Sequence, residues 1–430
     1  MSKSNFFGNL IKTNPTLPTA NSGANYGVAT GIWTLEEAGA FRASGDWPIP
    51  ASAPGAPTIT GTTAGNAQVA VAFNANASTG GLDVSSFTAL ASSGQSASAS
   101  SSPVTVTGLT NGTEITFTVT ATNAAGTSSA SSASSGVSPV APLLAVFFNG
   151  NGNNVIDYIT ITSTGNASDW GDMGATDHTR GSAGSSTRGI SAGFGTSYDY
   201  ITYATAGNAT DFGSVNPGSS NTIVGVSNAT RGVFHSGNAG LSTNTLEYIT
   251  IASTGDGTDF GDMIDAKYQY MNNQVTSPTR GLFCGGTNNN ADHNVIAYIT
   301  IGSTGNASDF GDLTVSRYNA AGASSNTRGL TAGGVSGGGG SIKNVIDYVT
   351  IGSTGNATDF GNLSVGRYAV AGTSSGVRAV FGGGVNSGYS VVNTIDYVTI
   401  DSTGNASDFG DLSVTKHNNT AIGNAHGGIS

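Results

Sequence analysis

The residues that could carry chemistry recur along this 430-residue chain at nearly constant spacing. Arginine occupies the same position in five copies of a repeat. A cluster of arginines with a glutamate and a tyrosine nucleophile is the arrangement of sialidase-like enzymes. The arginines are Arg188, Arg231, Arg280, Arg328 and Arg378. Glu247 is the only glutamate after residue 114, and it occupies a repeat position held elsewhere by Asp157, Asp347 and Asp396. We therefore predict that Glu247 is structural and that the arginines bond carbonyls of neighbouring loops.

Pairs of aspartates recur near the end of the copies and could supply the oxygen ligands that calcium prefers. These pairs are Asp169/Asp172, Asp259/Asp262, Asp309/Asp312 and Asp408/Asp411. The other two copies break the pattern, and aspartate is a common turn residue in any case. The five histidines have no regular metal spacing, and Cys284 stands where the next copy has Ala332, which indicates a small hydrophobe. We predict no catalytic residue, no metal site, no cofactor and no enzymatic activity.

The composition excludes several classes of partner. The net charge is −11 and the sequence has no basic stripe, so binding to nucleic-acid phosphates is not expected. No run of about 18 apolar residues exists that could insert into a membrane. The single cysteine cannot form an intrachain disulfide. The opening twelve residues hold no apolar core for a signal peptide, which predicts synthesis in a bacterial cytoplasm.

A repeated phrase organises the chain from Leu144 onward. It reads Ile-Asp-Tyr-Ile-Thr-Ile and then Thr-Gly-Asn-Ala-Ser-Asp-Phe-Gly-Asp, with small variations. Its second aromatic residue marks six copies: Trp170, Phe212, Phe260, Phe310, Phe360 and Phe409. The intervals between these residues are 42, 48, 50, 50 and 49. A period near 50 indicates an architecture in which each copy is one supersecondary unit.

Each copy contains four candidate strands, which in one copy begin at Arg317, Thr327, Asn344 and Ala357. The first is rich in small residues, the second ends in Gly-Gly, and the last two carry aromatic residues. This order resembles the kelch repeat, so residues 141–430 are expected to form a six-bladed kelch-like β-propeller. The first copy lacks its inner strand and Lys416–Asn424 matches one, so we predict that this segment completes the first blade.

Two short motifs are read as turns. The Asn-Ala-Ser/Thr triplets are predicted to be turn residues only. Glycine pairs are predicted to reverse the chain with positive φ at Gly285–Gly286, Gly333–Gly334 and Gly382–Gly383.

Residues 53–140 alternate as β-strands do. From Ile115 to Ala121 the odd-numbered residues are apolar and the even-numbered ones are threonines, a period of two. The Leu109–Gly126 pattern resembles that of bacterial fibronectin type III domains, although Ile115 replaces the usual corner tyrosine. The resemblance implies a β-sandwich that acts as a spacer. The Ser/Ala-rich segment Ser128–Ser138 is interpreted as a linker.

Residues 1–52 hold two of the three tryptophans and the only helix signal. Thr34 and Glu37 form a capping box for a helix from Leu35 to about Ala43. So short an arm cannot bury its own aromatic residues, so we predict that they dock into a partner. The predicted anchor residues are Trp33, Leu35, Phe41 and Trp47.

The three segments together predict an all-β protein, in which a fibronectin type III β-sandwich and a six-bladed β-propeller follow a short helical N-terminal anchor arm. The opening Phe7-Gly-Asn-Leu-Ile and the later Gly31-Ile-Trp-Thr-Leu-Glu-Glu resemble leader segments of tail and structural proteins of marine tailed bacteriophages. This resemblance implies a virion surface protein: a tail fibre, spike or appendage held to other virion proteins by residues 1–52. Its propeller would serve host attachment by binding host-surface glycan.

A structural decoration protein of the capsid or tail, with no host ligand, is the alternative. A bacterial adhesin or hydrolase is disfavoured by the missing acid and base groups. The loops that diverge most between copies follow the Gly-Gly turns, and they supply the candidate ligand contacts Asn288, Asn290, His293, Lys343, Asn386 and Tyr389. No coiled-coil heptad is present to drive assembly, which leaves homo-oligomerisation open.

Overall fold

The chain is all-β in the part that the computed structural model describes. This part comprises residues 51–150, 152–174, 176, 179–193, 197–214, 222–237, 243–267, 275–287, 291–338 and 340–429. No helix occurs among these residues, and two compact units divide the chain: Met1–Pro142 and Leu143–Ser430. The helix predicted at Leu35–Ala43 and the four predicted anchor residues lie outside the described residues.

The described part of the first unit, from residue 51 onward, contains seven strands in two sheets. The strands are β1 (Thr58–Gly65), β2 (Gln68–Asn74), β3 (Ser86–Ala91), β4 (Ser96–Ala99), β5 (Val104–Thr107), β6 (Phe117–Asn123) and β7 (Gly126–Thr127). One sheet has the order β1-β2-β5 and the other β4-β3-β6-β7. Both sheets contribute to one hydrophobic core, in which Phe73 and Phe87 place their rings 4.8 Å apart. The predicted period of two is confirmed, because Ile115 and the apolar residues of β6 are buried.

The Ser/Ala-rich segment Ser128–Ser138 is not a linker; this prediction was wrong. Three of its serines each form hydrogen bonds with the N–H and the carbonyl of one residue of β6, and the three β6 residues alternate along the strand. The pairs are Ser128 with Ala121, Ser131 with Val119, and Ser134 with Phe117. Each serine N–H donates to the β6 carbonyl, while its Oγ accepts the β6 N–H. The Oγ–H then donates to the carbonyl of the next residue. The segment thereby completes the edge of the sheet with side chains in place of a regular ladder.

The second unit contains the remaining strands. They are β8 (Leu144–Phe147), β9 (Val155–Thr160), β10 (Ser168–Asp172), β11 (Thr179–Gly184), β12 (Arg188–Gly193), β13 (Ser197–Thr202), β14 (Thr210–Ser214), β15 (Thr222–Ser227), β16 (Arg231–Gly237), β17 (Thr243–Thr250), β18 (Thr258–Lys267), β19 (Val275–Thr276), β20 (Arg280–Cys284), β21 (Val295–Thr300), β22 (Ser308–Asp312), β23 (Ala321–Ser324), β24 (Arg328–Ala332), β25 (Val335–Ser336), β26 (Ser341–Ile342), β27 (Val345–Thr350), β28 (Thr358–Asn362), β29 (Arg367–Tyr368), β30 (Ala371–Ser374), β31 (Arg378–Gly382), β32 (Val385–Asn386), β33 (Thr394–Thr399), β34 (Ser407–Asp411) and β35 (Ala421–Gly423).

Six antiparallel four-stranded sheets, named S1 to S6, account for most of these strands. Their orders are β35-β8-β9-β10 for S1, β11-β12-β13-β14 for S2, β15-β16-β17-β18 for S3, β19-β20-β21-β22 for S4, β23-β24-β27-β28 for S5 and β30-β31-β33-β34 for S6. Two short strand pairs, β25–β26 and β29–β32, lie in loops of S5 and S6. Because the strands alternate in direction, the turns between first and second strands lie at the same end of a sheet as those between third and fourth strands.

S1 takes its strands from both ends of the unit. β35 pairs with β8 in the register Ala421↔Phe147 and Gly423↔Ala145, and Phe148 N–H donates to Thr420 O at 2.9 Å. The prediction that Lys416–Asn424 joins the first sheet is confirmed by this pairing. The first strands of successive sheets contact one another, and β30 of S6 and β11 of S2 both contact β35.

Every junction between successive sheets, including that from S6 to S1, contains an apolar cluster and a side-chain hydrogen bond of one recurring type. The Thr-Gly-Asn turn of one sheet, which is Ala-Gly-Asn in S2 and Thr-Gly-Asp in S3, reaches the outer strand of the sheet before it. Its asparagine (aspartate in S3) accepts a backbone N–H there, in the pairs Asn208–Asp172, Asp256–Ser214, Asn306–Asp262, Asn356–Asp312, Asn405–Asn362 and Asn166–Asp411. Clusters of buried apolar residues lie between the same neighbours. The triplets predicted to be turn residues are therefore also connectors between sheets.

The glycine after each repeat aromatic is required by this close approach. At Gly171 a Cβ would lie 2.5 Å from the carbonyl oxygen of Gly207, and φ is +148°. Glycine alone combines that φ with no side chain. The Gly-Gly turns have positive φ at Gly285–Gly286 and Gly333–Gly334 as predicted, but the third turn is Gly383–Gly384 because Gly382 still belongs to β31.

The serine edge of the first unit generates a stability prediction. Replacing Ser131 with Ala removes the acceptor of the buried Val119 N–H, and an unpaired buried donor costs about 1–3 kcal/mol. We expect Ser131→Ala to lower the free energy of unfolding of the first unit by about that amount, measured by urea denaturation monitored through the amide signals of this unit. The exposed neighbour Ser132→Ala is the control and should change it by less than about 0.5 kcal/mol. Equal effects of the two substitutions would contradict the role given to Ser131.

Candidate functional site

The recurring arginines connect successive sheets, as predicted. Each lies at the start of the second strand of its sheet and donates from Nη1 to a carbonyl just after the third strand of the next sheet. The pairs are Arg188 with Ile251, Arg231 with Ile301, Arg280 with Ile351, Arg328 with Ile400 and Arg378 with Ile161, at 2.8–3.1 Å. Each guanidinium also lies 4.3–4.8 Å from the ring centroid of a tyrosine in its own sheet. These contacts occupy the arginines as cation–π and hydrogen-bond partners, so they do not form an open binding ring.

Three buried ion pairs, which were not predicted, join the loop before a first strand to the third strand of the same sheet. They are Arg317–Asp347 in S5 at 3.0 Å, Arg367–Asp396 in S6 at 2.7 Å and Lys416–Asp157 in S1 at 3.0 Å. Thr314 and Ser364 supply N–H and O–H donors to the aspartates of S5 and S6. A sequence signal existed, because Ser/Thr-x-x-Arg/Lys recurs before each of these basic residues.

The pair in S1 joins residues from the two ends of the second unit. Lys416 also donates to the carbonyl of Val155 at 2.7 Å, so its ammonium bridges β9 and the segment that leads into β35. Burial lowers the pKa of Lys416, and the negative charge of Asp157 opposes that effect. A buried ion pair of this kind fixes geometry more than it adds stability, since desolvation offsets most of the attraction.

The corresponding position in the other sheets is chemically varied. Glu247 in S3 is buried and accepts a hydrogen bond from the hydroxyl of Tyr198 in S2 at 2.7 Å. That contact raises the pKa of Tyr198, after the larger effect of its burial. Asp199 in S2 has a raised pKa because of burial and the nearby Asp211. Ala297 in S4 has no charge at all. This position on the third strands therefore carries different buried polar groups in different sheets, and they do not form one acid–base cluster.

Only some of the predicted ligand-contact residues lie within the described part of the chain. Asn288 and Asn290 are outside it. Lys343 Nζ donates to Ser341 Oγ, and Asn386 Oδ1 accepts the N–H groups of Gly388 and Ser390 within its own turn. His293 is half-buried, and its carbonyl accepts the N–H of Arg317.

Tyr389 is the most exposed of the predicted contacts that the structure describes. Its side chain is 65% exposed, and its φ of +58° is uncommon for a bulky residue. The residue follows a tight turn in which Tyr389 N–H donates to Asn386 O. This loop joins the second and third strands of S6, so it lies at the end of the sheet away from the Thr-Gly-Asn turns.

A segment that the repeat does not explain, His426–Ile429, lies against the first strands of S2 to S5. His426 is buried; its Nε2 lies 3.0 Å from Gly184 O, and its Nδ1 lies 3.1 Å from Gly428 N. A carbonyl can only accept and an N–H can only donate, so the ring is neutral with its proton on Nε2. Ser227 Oγ and Thr276 Oγ1 also lie within 3.4 Å of the ring. A Cβ on Gly427 would overlap Ser325 O, so the segment fits closely.

The junction between S1 and S2 departs from the other five. Leu144 stands where the other sheets have arginine, and Tyr203 stands where they have isoleucine. Trp170 replaces the repeat phenylalanine and packs edge-on against Tyr158 at 5.2 Å. A cavity of about 200 Å³ opens here, lined by Trp170, Tyr200 and the Thr205–Asn208 turn.

A larger groove of about 540 Å³ lies in the first unit between residues 56–62 and 130–135. Its walls are β1 and the serine edge, with no aromatic ring and no charged side chain. Size alone therefore does not make it the better candidate, because the groove offers hydroxyl groups but no aromatic surface on which a ligand could pack.

The buried imidazole of His426 predicts a pH dependence of stability. Desolvation lowers its pKa from 6.5 to about 4, and the carbonyl of Gly184 opposes this only in part. Between about pH 6.5 and 4 the unfolded chain binds a proton that the folded chain does not. Stability is therefore full above about pH 6.5 and is lost as the pH falls toward 4, by about 3 kcal/mol from this residue.

Urea unfolding of the second unit across this pH range checks the effect. We expect His426→Gln to remove this part of the loss, since glutamine does not titrate. His417→Gln, at a half-buried position, is the matched control. His426 is still present in this variant, so its stability should fall more steeply toward low pH than that of His426→Gln. Identical slopes for the wild type and His426→Gln would contradict the assignment.

The described residues contain no group of three or more His, Cys, Asp or Glu side chains that could hold a metal ion. Within the same ranges, no helix is long and apolar enough to span a membrane. Cys284 is buried as expected. No protein-family model and no curated protein matches this chain.

Proposed function

We propose that the chain is a virion surface protein of a tailed bacteriophage, a tail fibre, spike or appendage that presents its second unit for host attachment. In this proposal the second unit is a closed six-bladed kelch-like propeller and the first a fibronectin type III-like spacer. Residues 1–52 hold the chain to other virion proteins. The protein is made in the host cytoplasm and functions on the virion, without enzymatic activity.

The junctions support the propeller. Six sheets of equal strand order are linked by one recurring set of hydrogen bonds, and the set returns from S6 to S1 through Asn166 and Asp411. The first strands of S5 and S6 consist of small residues that approach closely: a Cβ on Gly372 would lie 2.5 Å from Gly322 O. Convergence of small-residue strands is what a propeller axis requires.

The first unit supports the role of a spacer. Its three-stranded and four-stranded sheets share one core and carry no cluster of titratable groups in the described residues. A small β-sandwich with a core of its own suits a spacer, which separates its neighbours along the chain and has no reactive site.

One observation carries the proposal of display over catalysis. The recurring polar residues of the repeat are engaged within the framework. Arginines bond carbonyls and asparagines accept backbone N–H groups of neighbouring sheets, while buried basic residues pair with aspartates of the same sheet. Because these side chains bond other groups of the protein, recognition of a partner would depend on residues that are not part of the recurring contacts. Tyr389 is such a feature, since it is exposed, aromatic and held in an unfavourable backbone conformation.

Decoration of the capsid or tail without a host ligand is the second candidate, and a recurring apolar position favours it. Val365 and Val414 occupy the same place in successive copies and are 47% and 37% exposed. A row of exposed valines suits packing on a neighbouring virion protein.

Electron cryomicroscopy of the virion that carries this chain tests the proposal. A second unit that projects into solvent from the tail supports host attachment, whereas one lying flat on the capsid or tail wall supports decoration. Absence of the chain from the virion would overturn both. Deletion of residues 1–48 is expected to prevent incorporation, which checks the anchor separately.

Adsorption of virions to host cells tests the loops. The double variant Lys343→Ala/Tyr389→Ala is expected to lower the adsorption rate about tenfold or more, as loss of a contact worth about 1.4 kcal/mol would. The matched control is Val377→Ala, an equally exposed residue in the first turn of S6 at the opposite end of the sheet. Unchanged adsorption by the double variant would count against host binding through these loops.

A further inference from the structure

The S1–S2 junction holds the clearest departure from the repeat in the described residues. At the other five junctions an arginine bonds a carbonyl of the next sheet, but Leu144 cannot do so. Trp170 appears where five copies have phenylalanine. Sixfold architecture does not require either change, because the other junctions form without them. The cavity beside Trp170 therefore needs an explanation other than the fold.

The cavity combines aromatic surface with uncommitted polar groups. Trp170 is only 6% exposed and lines it, and its indole N–H has no hydrogen-bond partner in the structure. Buried tryptophan N–H groups usually find a partner. Thr202, Thr205 and Thr210 add hydroxyl groups to the lining.

The fixed parts of the cavity hold its shape. Tyr200 is held from one side by the guanidinium of Arg188, 4.8 Å from its centroid. The turn that forms the rim is fixed to S1 because Asn208 Oδ1 accepts the N–H of Asp172 at 3.0 Å. Thr205 N–H donates to Thr202 O within the same turn. The lining is thus positioned before a ligand arrives, which lowers the entropic cost of binding.

Size and chemistry restrict the ligand. A volume of about 200 Å³ is below the roughly 300–1,000 Å³ of sites for larger small molecules, so one ring-sized group fits. The lining has no charged side chain, which disfavours a phosphate or carboxylate group. Hydroxyl groups around two aromatic residues suit a neutral polyhydroxylated ring, whose C–H face packs on an aromatic side chain while its hydroxyls form hydrogen bonds.

We propose that the cavity formed by Trp170, Tyr200 and the Thr205–Asn208 turn binds a single neutral sugar ring, as one residue of a host-surface glycan. This inference rests on the proposed function for the source of the sugar. It assigns a binding site at the end of the sheets opposite to the Tyr389 loop. A glycan bound there and a receptor contacted by the loops would be separate interactions.

Saturation-transfer NMR on the full chain, with glucose, galactose, mannose and N-acetylglucosamine as free sugars, tests the site. We expect at least one of these sugars to bind and Trp170→Phe to weaken its binding about tenfold or more. This variant restores the residue that five copies carry, so it should fold; its thermal unfolding is recorded as a check. Thr205→Ala provides a second test that leaves the apolar core untouched.

The matched control is Ser353→Ala, which alters the same turn in S5, where Ser353 N–H donates to Thr350 O. Loss of sugar binding in Trp170→Phe and in Thr205→Ala, with Ser353→Ala unchanged, supports the proposal. Wild-type binding in Trp170→Phe, or no binding of any of the four sugars to the wild type, overturns it. Virion adsorption measured in parallel separates the cavity proposal from the proposed function. If Trp170→Phe virions adsorb normally while Lys343→Ala/Tyr389→Ala virions do not, a role of the cavity in host binding is rejected and host attachment through the loops is kept.

Discussion

The hydrogen bonds between the Thr-Gly-Asn turn of one sheet and the outer strand of the sheet before it are the contact on which the second unit depends. They combine a side-chain acceptor with backbone donors, so they fix both the distance and the register of neighbouring sheets. The glycine after each aromatic is a consequence, because any side chain there would collide with the incoming turn. The same contact joins S6 to S1, where Asn166 Oδ1 accepts the N–H of Asp411.

Chain connectivity makes the S1 junctions different from the rest. S1 is assembled from β8 and β35, so its geometry depends on residues more than 270 positions apart in the chain. The Lys416–Asp157 pair and the close fit of His426–Ile429 both lie on the returning segment. At the other side of S1, Leu144 and Trp170 interrupt the arginine series. The S6–S1 junction keeps the arginine contact, from Arg378 to the carbonyl of Ile161, while the S1–S2 junction lacks its counterpart and contains a cavity.

Much of the architecture followed from the sequence because the repeat is regular. Six phrases predicted six sheets, and the unmatched segment at Lys416–Asn424 predicted the pairing of β35 with β8. The recurrence of Arg188 and its counterparts predicted contacts with carbonyls, since a residue needed once per sheet serves the framework.

Other features could not be predicted because their meaning depends on three-dimensional partners. Serine-rich composition usually marks a linker, yet Ser128, Ser131 and Ser134 are spaced to meet alternate residues of β6. Arg317 and Arg367 resembled the start of a strand, and only burial reveals that they face Asp347 and Asp396. His426 follows the last repeat, so periodicity gave it no role. The cavity at Trp170 arises from two sheets, and the change from phenylalanine to tryptophan at this repeat position does not by itself indicate a cavity.

Hydrogen exchange of the Phe148 amide tests most directly the proposal that the second unit closes through the pairing of β35 with β8 in S1. This N–H has Thr420 O as its acceptor, so it is protected by a strand from the far end of the unit. The account predicts that the Phe148 amide exchanges only with global unfolding of the second unit, at the rate of the central amides of S5 and S6. Exchange as fast as that of an exposed loop amide would mean that β35 does not pair with β8, and the closed arrangement would have to be abandoned.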